Sequence, residues 1–245
     1  MPGGDKPGEM LANLSVDCII LGFYNGQLKV LLLRWKDTQY WSLPGGPVFK
    51  SEDIDDAASR VLKERTCLEQ IFLRQFHTFG SANRYDLAQL KEKLKHLIDP
   101  ELWYERAVTV GYYALVEYSK VASCPDHFTA ECRWWDIHKV PELLFDHNQI
   151  IERALQALRI ELNLQPVGYS LLPEKFTLPE LQKLYETILD KPLDPRNFQR
   201  KIKGLGILDQ LKERKKGGAH KAPYLYRFNR EAYEARLQEG GLLFL

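Results

Sequence analysis

The chain is 245 residues long, room for two modest domains at roughly 100–200 residues each. Its 44% hydrophobic and 27% charged residues are an ordinary globular composition, which excludes a disordered or coiled-coil main state. The net charge of +1 hides an asymmetry: residues 165–245 carry 15 Lys and Arg against 10 Asp and Glu, so one half is suited to meet a polyanion.

In chain order, residues 1–14 are rich in Gly and Pro and read as an unpacked tail. Two β-rich runs, 17–23 and 29–34, flank Tyr24-Asn25-Gly26-Gln27 and predict a hairpin. A short strand beginning at Trp41 ends in a Gly-rich turn at Gly45-Gly46. From Glu52 to Arg65 the apolar positions Ile54, Ala57, Ala58, Val61 and Leu62 fit an amphipathic helix. Strands follow over 71–79 and 107–118, with a helical insert over 87–98 between them and a last short strand over 134–137. Strands on both sides of a central helix predict an α/β or α+β domain rather than a bundle. Asp146 then caps a helix striped by Ile150, Ile151, Ala154, Leu155, Leu158 and Leu162, and the run from Gln165 to Gly168 closes the first domain over 15–165.

The second domain, 166–245, reads as a winged helix-turn-helix. Thr177 and Glu180 form a capping box, with Pro179 in the first turn of a helix striped by Leu178, Leu181, Leu184, Tyr185, Ile188 and Leu189. Asp194-Pro195 starts a second helix that turns Phe198 and Ile202 inward. Two strands, 207–211 and 224–228, then flank a basic tip over 212–221. Arg196, Gln199, Arg200 and Lys203 lie mainly on the other faces of the second helix, where Arg and Gln suit the edges of G and A in a major groove. Arg214, Lys215, Lys216 and Lys221 at the wing suit phosphates. Double-stranded DNA is the expected partner. A non-DNA adaptor with a basic face is the rival reading.

The four cysteines, Cys18, Cys67, Cys124 and Cys132, have no C-x-x-C spacing, and the six histidines no ligand spacing, so no metal and no cofactor is expected. The longest apolar runs fall far short of the ~20 residues that span a bilayer, and no secretory leader is visible, so a cytoplasmic protein is expected.

The segment from Gly46 to Leu68 carries the sharpest motif. Gly46, Glu52, Arg60, Leu62, Glu64 and Leu68 match the Nudix box, G-x5-E-x7-R-E-U-x-E-E-x-G-U with U aliphatic, whereas Val61 and Arg65 replace glutamates and Cys67 replaces the glycine. Positions 61, 64 and 65 share one direction on a helix, where a working Nudix enzyme gathers carboxylates around magnesium. One apolar and one cationic residue there argue against tight divalent binding and against diphosphohydrolase turnover. Glu64 is the box carboxylate left in that cluster, and Gly46, Glu52 and Arg60 read as scaffold. No catalytic residue is expected.

A degenerate Nudix domain followed by a winged helix resembles the Nudix-related transcriptional regulators, and the likeness runs from Val16 onward. It includes Phe79-Gly80 with Arg84, the run from Tyr112 to Leu115, Phe145-Asp146-His147, and the run from Leu171 to Leu178. The chain is similar in particular to the sugar-responsive branch, which includes arabinose-responsive repressors. The resemblance implies a homodimer, a palindromic operator, and a small effector (a pentose or an ADP-ribose-like molecule) in the former substrate cleft. The chain departs from the branches that carry Arg-Asp-Pro after the Phe-Gly pair, having Asn83-Arg84-Tyr85-Asp86. Position in the Nudix fold makes Arg34, Trp41, Phe79, Arg84, Arg106 and Tyr112 candidates for the effector cleft. An active Nudix hydrolase of a nucleoside diphosphate derivative, held up by Glu52 and Glu64, is the other alternative.

Overall fold

The computed structural model describes residues 9–66, 73–97, 106–121, 129–164, 171–215 and 222–238. It divides into two compact units, the first formed by residues 1–22 and 29–154, the second by residues 23–28 and 155–245. The sequence places the boundary at 165/166. The division into units falls within α3 (His147–Leu164), between Ala154 and Leu155, and the apolar stripe of that helix runs from Ile150 through Leu158 to Leu162. Gln165 to Gly168, expected to end that helix, lie outside the described residues.

The first unit is built on a mixed sheet of seven strands among the described residues, in the order β3 (Trp41–Ser42), β2 (Gln27–Trp35), β1 (Met10–Tyr24), β6 (Val108–Val116), β5 (Leu73–Phe79), with β4 (Gly45–Phe49) on β1 and β7 (Thr129–Asp136) on β2. β1 (Met10–Tyr24) and β2 (Gln27–Trp35) form the expected hairpin. Its two-residue tip, Asn25 and Gly26, takes φ of 49° and 74°, the left-handed pair that matches the twist of the flanking strands. β1 begins at Met10, so the expected tail is shorter than 14 residues: Met10 pairs with Phe49, and Lys50 N donates to Glu9 O at 2.8 Å. β3 (Trp41–Ser42) is brief, and Gly45-Gly46 is strand rather than turn, opening β4 (Gly45–Phe49) against β1. The reason is steric. A Cβ on Gly45 would lie 2.3 Å from Asp17 Oδ1, so glycine lets β4 approach that side chain.

α1 (Ile54–Thr66) packs on one face of this sheet. Ala57, Ala58 and Val61 are buried with Val16, Cys18, Val48, Val110 and Tyr112, and Leu62 with Ile20, Leu31, Ala114 and Val116. Each buried Val or Leu on that face contributes about 1.5–3 kcal/mol. The two alanines hold the helix close, and extra volume there costs about 1–3 kcal/mol. β5 (Leu73–Phe79) and β6 (Val108–Val116) pair antiparallel, and β6 runs parallel to β1. Between them α2 (Leu87–Leu94) starts on Asp86, whose carboxylate accepts from Gln89 N at 3.0 Å. β7 (Thr129–Asp136) is longer than the expected 134–137 and pairs along β2.

The second unit is a winged helix. α4 (Leu178–Leu189) carries the predicted capping box, and α5 (Pro195–Gly204) starts on Asp194, which accepts from Asn197 N at 2.8 Å. β8 (Leu208–Arg214) reaches three residues farther than expected and pairs with β9 (Tyr224–Phe228), while Phe176 makes a single antiparallel bridge to Tyr226. α6 (Arg230–Gln238) has no counterpart in the sequence reading; Asn229 Oδ1 caps it from Ala232 N at 3.0 Å. Among the described residues no helix is long and apolar enough to cross a membrane.

Candidate functional site

The Nudix-box remnant is a closed clamp. Arg60 Nε donates to Glu52 Oε2 at 3.0 Å and its Nη2 to Glu52 Oε1 at 2.7 Å and Pro47 O at 2.8 Å, while Phe49 N donates to Glu52 Oε1 at 2.8 Å. The Arg60 bond, with lesser help from Phe49 N, holds the Glu52 carboxyl below the usual carboxylate range. Glu64 completes the group through Arg60 Nη1 at 3.5 Å. Val61 does not face this clamp. It is fully buried, and a Cβ on Gly46 would lie 3.1 Å from its Cγ2. The side chain of Arg65 and residues Cys67 and Leu68 lie outside the described ones. Glu52 is taken up by Arg60, Glu64 lies 3.5 Å from the same guanidinium with 47% of its side chain exposed, and Val61 is core. These residues do not fit the magnesium cluster of a Nudix enzyme. Among the described residues no three His, Cys, Asp or Glu side chains come together as a metal site.

The residues expected at the effector cleft separate. Tyr112 belongs to the core beneath α1, 2% exposed, and its hydroxyl donates to Asp55. Arg84 is buried as well, with both arms on Asp146 at 2.8 and 2.6 Å. Neither side chain stands free to receive a ligand, because each already spends its polar atoms inside the scaffold. Arg106, exposed, donates to Gly80 O at 2.9 Å, and Phe79 is half-buried beside Phe76, their ring centroids 5.9 Å apart. A Cβ on Gly111 would lie 2.7 Å from Phe76 Cζ and 2.9 Å from Phe79 Cε2, so only glycine lets both rings lie over β6.

Arg34 and Trp41 lie on the sheet face opposite α1. Strand alternation and pairing put Arg34, Trp41, Glu131, Arg133 and Trp135 on that face, with Leu31 on the α1 side. Arg34 Nε donates to Glu131 Oε2 at 3.0 Å and its Nη1 to Thr38 O at 3.0 Å; Arg133 takes the other oxygen of Glu131 at 2.6 Å. The Arg34 bond first, and then the Arg133 charge, hold Glu131 below the usual range. Trp41 meets Trp135 edge to face at 5.2 Å, with the Arg133 guanidinium 5.5 Å over its ring. Thr109 and Tyr113 alternate onto the same face of the sheet, away from Val110, Tyr112 and Ala114. Three buried polar atoms there, Thr109 Oγ1, Tyr113 Oη and Trp135 Nε1, have no hydrogen-bond partner among the described residues. Such atoms are costly to leave unmet. Sequence reading missed Thr109, Tyr113, Arg133 and Trp135, although strand alternation from Arg34 and Trp41 could have pointed to their face.

In the winged helix, Phe198 and Ile202 turn inward, 4% and 0% exposed, which aims Arg196, Arg200 and Lys203 outward and leaves Gln199 half-buried on the flank. Arg200 donates to Asn197 Oδ1 at 2.9 Å, and the Lys203 ammonium lies 5.9 Å from the Tyr226 ring. None of Arg196, Arg200 and Lys203 has a carboxylate partner among the described residues. The wing is different. Arg214 donates to Ala222 O at 2.8 Å and stacks 3.8 Å over Tyr224, and Lys215 is paired with Glu180. Lys216 and Lys221 lie outside the described residues.

Comparison with known proteins agrees with both halves. The NUDIX domain family matches residues 13–158, and the NrtR DNA-binding winged helix domain matches residues 168–228. A protein of Acinetobacter baylyi named ADPR responsive transcriptional repressor NtrR is 30% identical over 237 residues, covering 94% of this chain and 86% of its own. The crystal structure of Shewanella oneidensis NrtR complexed with a 27mer DNA is 27% identical, with a TM-score of 0.70 over 90% of this chain and 95% of that one. A MutT/nudix family protein from Enterococcus faecalis, 23% identical with a TM-score of 0.63 over 94% of this chain and 89% of that one, shares the fold. With an α/β Nudix domain, a winged helix behind it and relatives of this kind along nearly its whole length, the chain belongs to the Nudix-related transcriptional regulators.

Proposed function

We propose that this chain is a transcriptional repressor that binds operator DNA through α5 and the wing, and that ADP-ribose, taken up by a catalytically inactive Nudix unit, changes its DNA affinity. The observation that carries the DNA half is the outward face of α5, where Arg196, Arg200 and Lys203 are exposed without carboxylate partners among the described residues. A helix of this kind presents donors to base edges and phosphates.

Val61 supports the reading of an inactive Nudix unit. A valine sealed in the core replaces a carboxylate that a divalent ion needs, and Arg60 holds the two glutamates that remain. ADP-ribose is favoured over a free pentose because the Acinetobacter baylyi relative is ADP-ribose responsive. The reading therefore moves away from the arabinose branch. The effector lies on the sheet face opposite α1, where Arg34, Arg133 and Trp41 offer cations and a ring, and Thr109, Tyr113 and Trp135 offer unmet polar atoms. A homodimer on a palindromic operator completes the proposal, since two-fold protein symmetry matches two half-sites.

The test combines DNA titration with and without ADP-ribose and an assay of ADP-ribose hydrolysis with magnesium. Sequence-specific binding shifted by ADP-ribose, with no turnover, is the expected result. Turnover at ordinary enzyme rates favours the hydrolase instead.

A further inference from the structure

We propose that Glu180 is a brake on the wing: it holds Lys215 in competition with DNA phosphate and so lowers the strength and salt dependence of DNA binding. This rests on the DNA-binding reading above. Glu180 has two tasks at once. Its Oε2 accepts from Thr177 N at 2.9 Å and from the Thr177 hydroxyl at 2.8 Å, closing the capping box of α4. Its Oε1 accepts from the Lys215 ammonium, at the start of the wing tip and 35 residues along the chain. Burial pushes the Glu180 carboxyl up, but the Lys215 and Thr177 hydrogen bonds outweigh it and keep the group ionised at neutral pH.

The pair is open to solvent, with 52% of the Lys215 and 40% of the Glu180 side chain exposed, so a phosphate can reach the ammonium. To bind Lys215, that phosphate must displace a carboxylate rather than a loosely held counterion. An already neutralised lysine releases less salt when DNA arrives. The second acidic residue on β8, Glu213, is itself taken up by Lys175, with Nζ 2.8 Å from Oε1 and 2.9 Å from Oε2. The contrast is with α5, whose outward cations have no carboxylate partner among the described residues. Base-facing cations are thus ready, and the Lys215 ammonium of the wing is withheld.

Glu180→Gln separates the two tasks. Glutamine at this position still accepts from Thr177 N in a capping box, but carries no charge to hold Lys215. The experiment compares the full-length wild type, E180Q, K215A and the double variant on a random-sequence duplex over a salt series. Circular dichroism and thermal melting monitor α4. E180Q is expected to bind more tightly and to steepen the salt slope by up to about 0.9. In the K215A background the same change is expected to do nothing, and K215A alone is expected to cost the wild type little. An unchanged slope, weaker binding by E180Q, or an equal gain without Lys215 would overturn the proposal. If E180Q melts early, the K215A comparison in the wild type still decides: a drop in slope of about 0.9 would mean that Lys215 was never withheld. No DNA binding by wild type or any variant overturns the DNA-binding reading itself.

Discussion

Arg84 grips Asp146 with both arms of its guanidinium, Nε to Oδ2 at 2.8 Å and Nη2 to Oδ1 at 2.6 Å, across 62 residues of sequence. Asp17 lies 4.0 Å from the same Nη2, and His147 Nε2 lies 3.5 Å from Asp17 Oδ1. Leu43 N donates to His147 Nδ1 at 2.9 Å, which leaves Nε2 as the protonated nitrogen of a neutral ring. Four segments of the Nudix unit are tied together by this one buried group. Truncating Arg84 to alanine strands two buried carboxylates, and urea unfolding is expected to show a loss of about 3–5 kcal/mol. Arg84→Lys recovers only part of it, because an ammonium cannot reproduce the fork. A loss below about 1 kcal/mol for the alanine variant would contradict the structural role.

The same group sets a pH dependence. Burial holds His147 below its usual range, against the pull of Asp17 and Asp146, with Arg84 adding to the depression. The folded ring is therefore neutral where the unfolded one takes up a proton, below about pH 6.5. The unfolded state binds more protons in that window, so stability falls as pH drops from 7 toward 5. His147→Asn keeps an acceptor for Leu43 N and cannot titrate. Its unfolding free energy is expected to change less over that range than the wild type's. Parallel pH profiles for the two would assign the dependence elsewhere.

Val61 makes a sharper demand. Restoring the box residue with Val61→Glu places a carboxylate among Val16, Val48 and Ala58 with no partner, at a cost of about 3 kcal/mol. The variant is expected to melt early and to leave ADP-ribose intact in the presence of magnesium. A stable variant that hydrolyses ADP-ribose would show that the clamp is a dormant metal site.

On α5, Arg200→Ala with Lys203→Ala removes two outward cations while leaving Phe198 and Ile202 in place. The salt slope of DNA binding is expected to fall by about 1.8. Calorimetric binding of ADP-ribose is expected to stay as in wild type. An unchanged slope would place the DNA contacts on another surface.

The winged helix was legible almost residue by residue because its signals are local. A capping box at Thr177, Asp194-Pro195 at a helix start, and an i, i+4 pair at Phe198 and Ile202 each fix their own backbone. The Nudix helix was legible for the same reason. What escaped depends on partners far away in sequence. Nothing near Arg84 announces its bond to Asp146, and nothing near Tyr112 announces its bond to Asp55. Gly45-Gly46 has turn composition and becomes strand because Asp17 needs the space.

The most direct test of the account is a titration of DNA from upstream of the protein's own gene cluster, with random-sequence competitor present, with and without ADP-ribose and with arabinose as control. The account predicts sequence-specific binding whose affinity moves by about fivefold or more with ADP-ribose, a coupling of about 1 kcal/mol or more, and does not move with arabinose. Binding that is sequence-blind, or specific but unmoved by ADP-ribose, would contradict it.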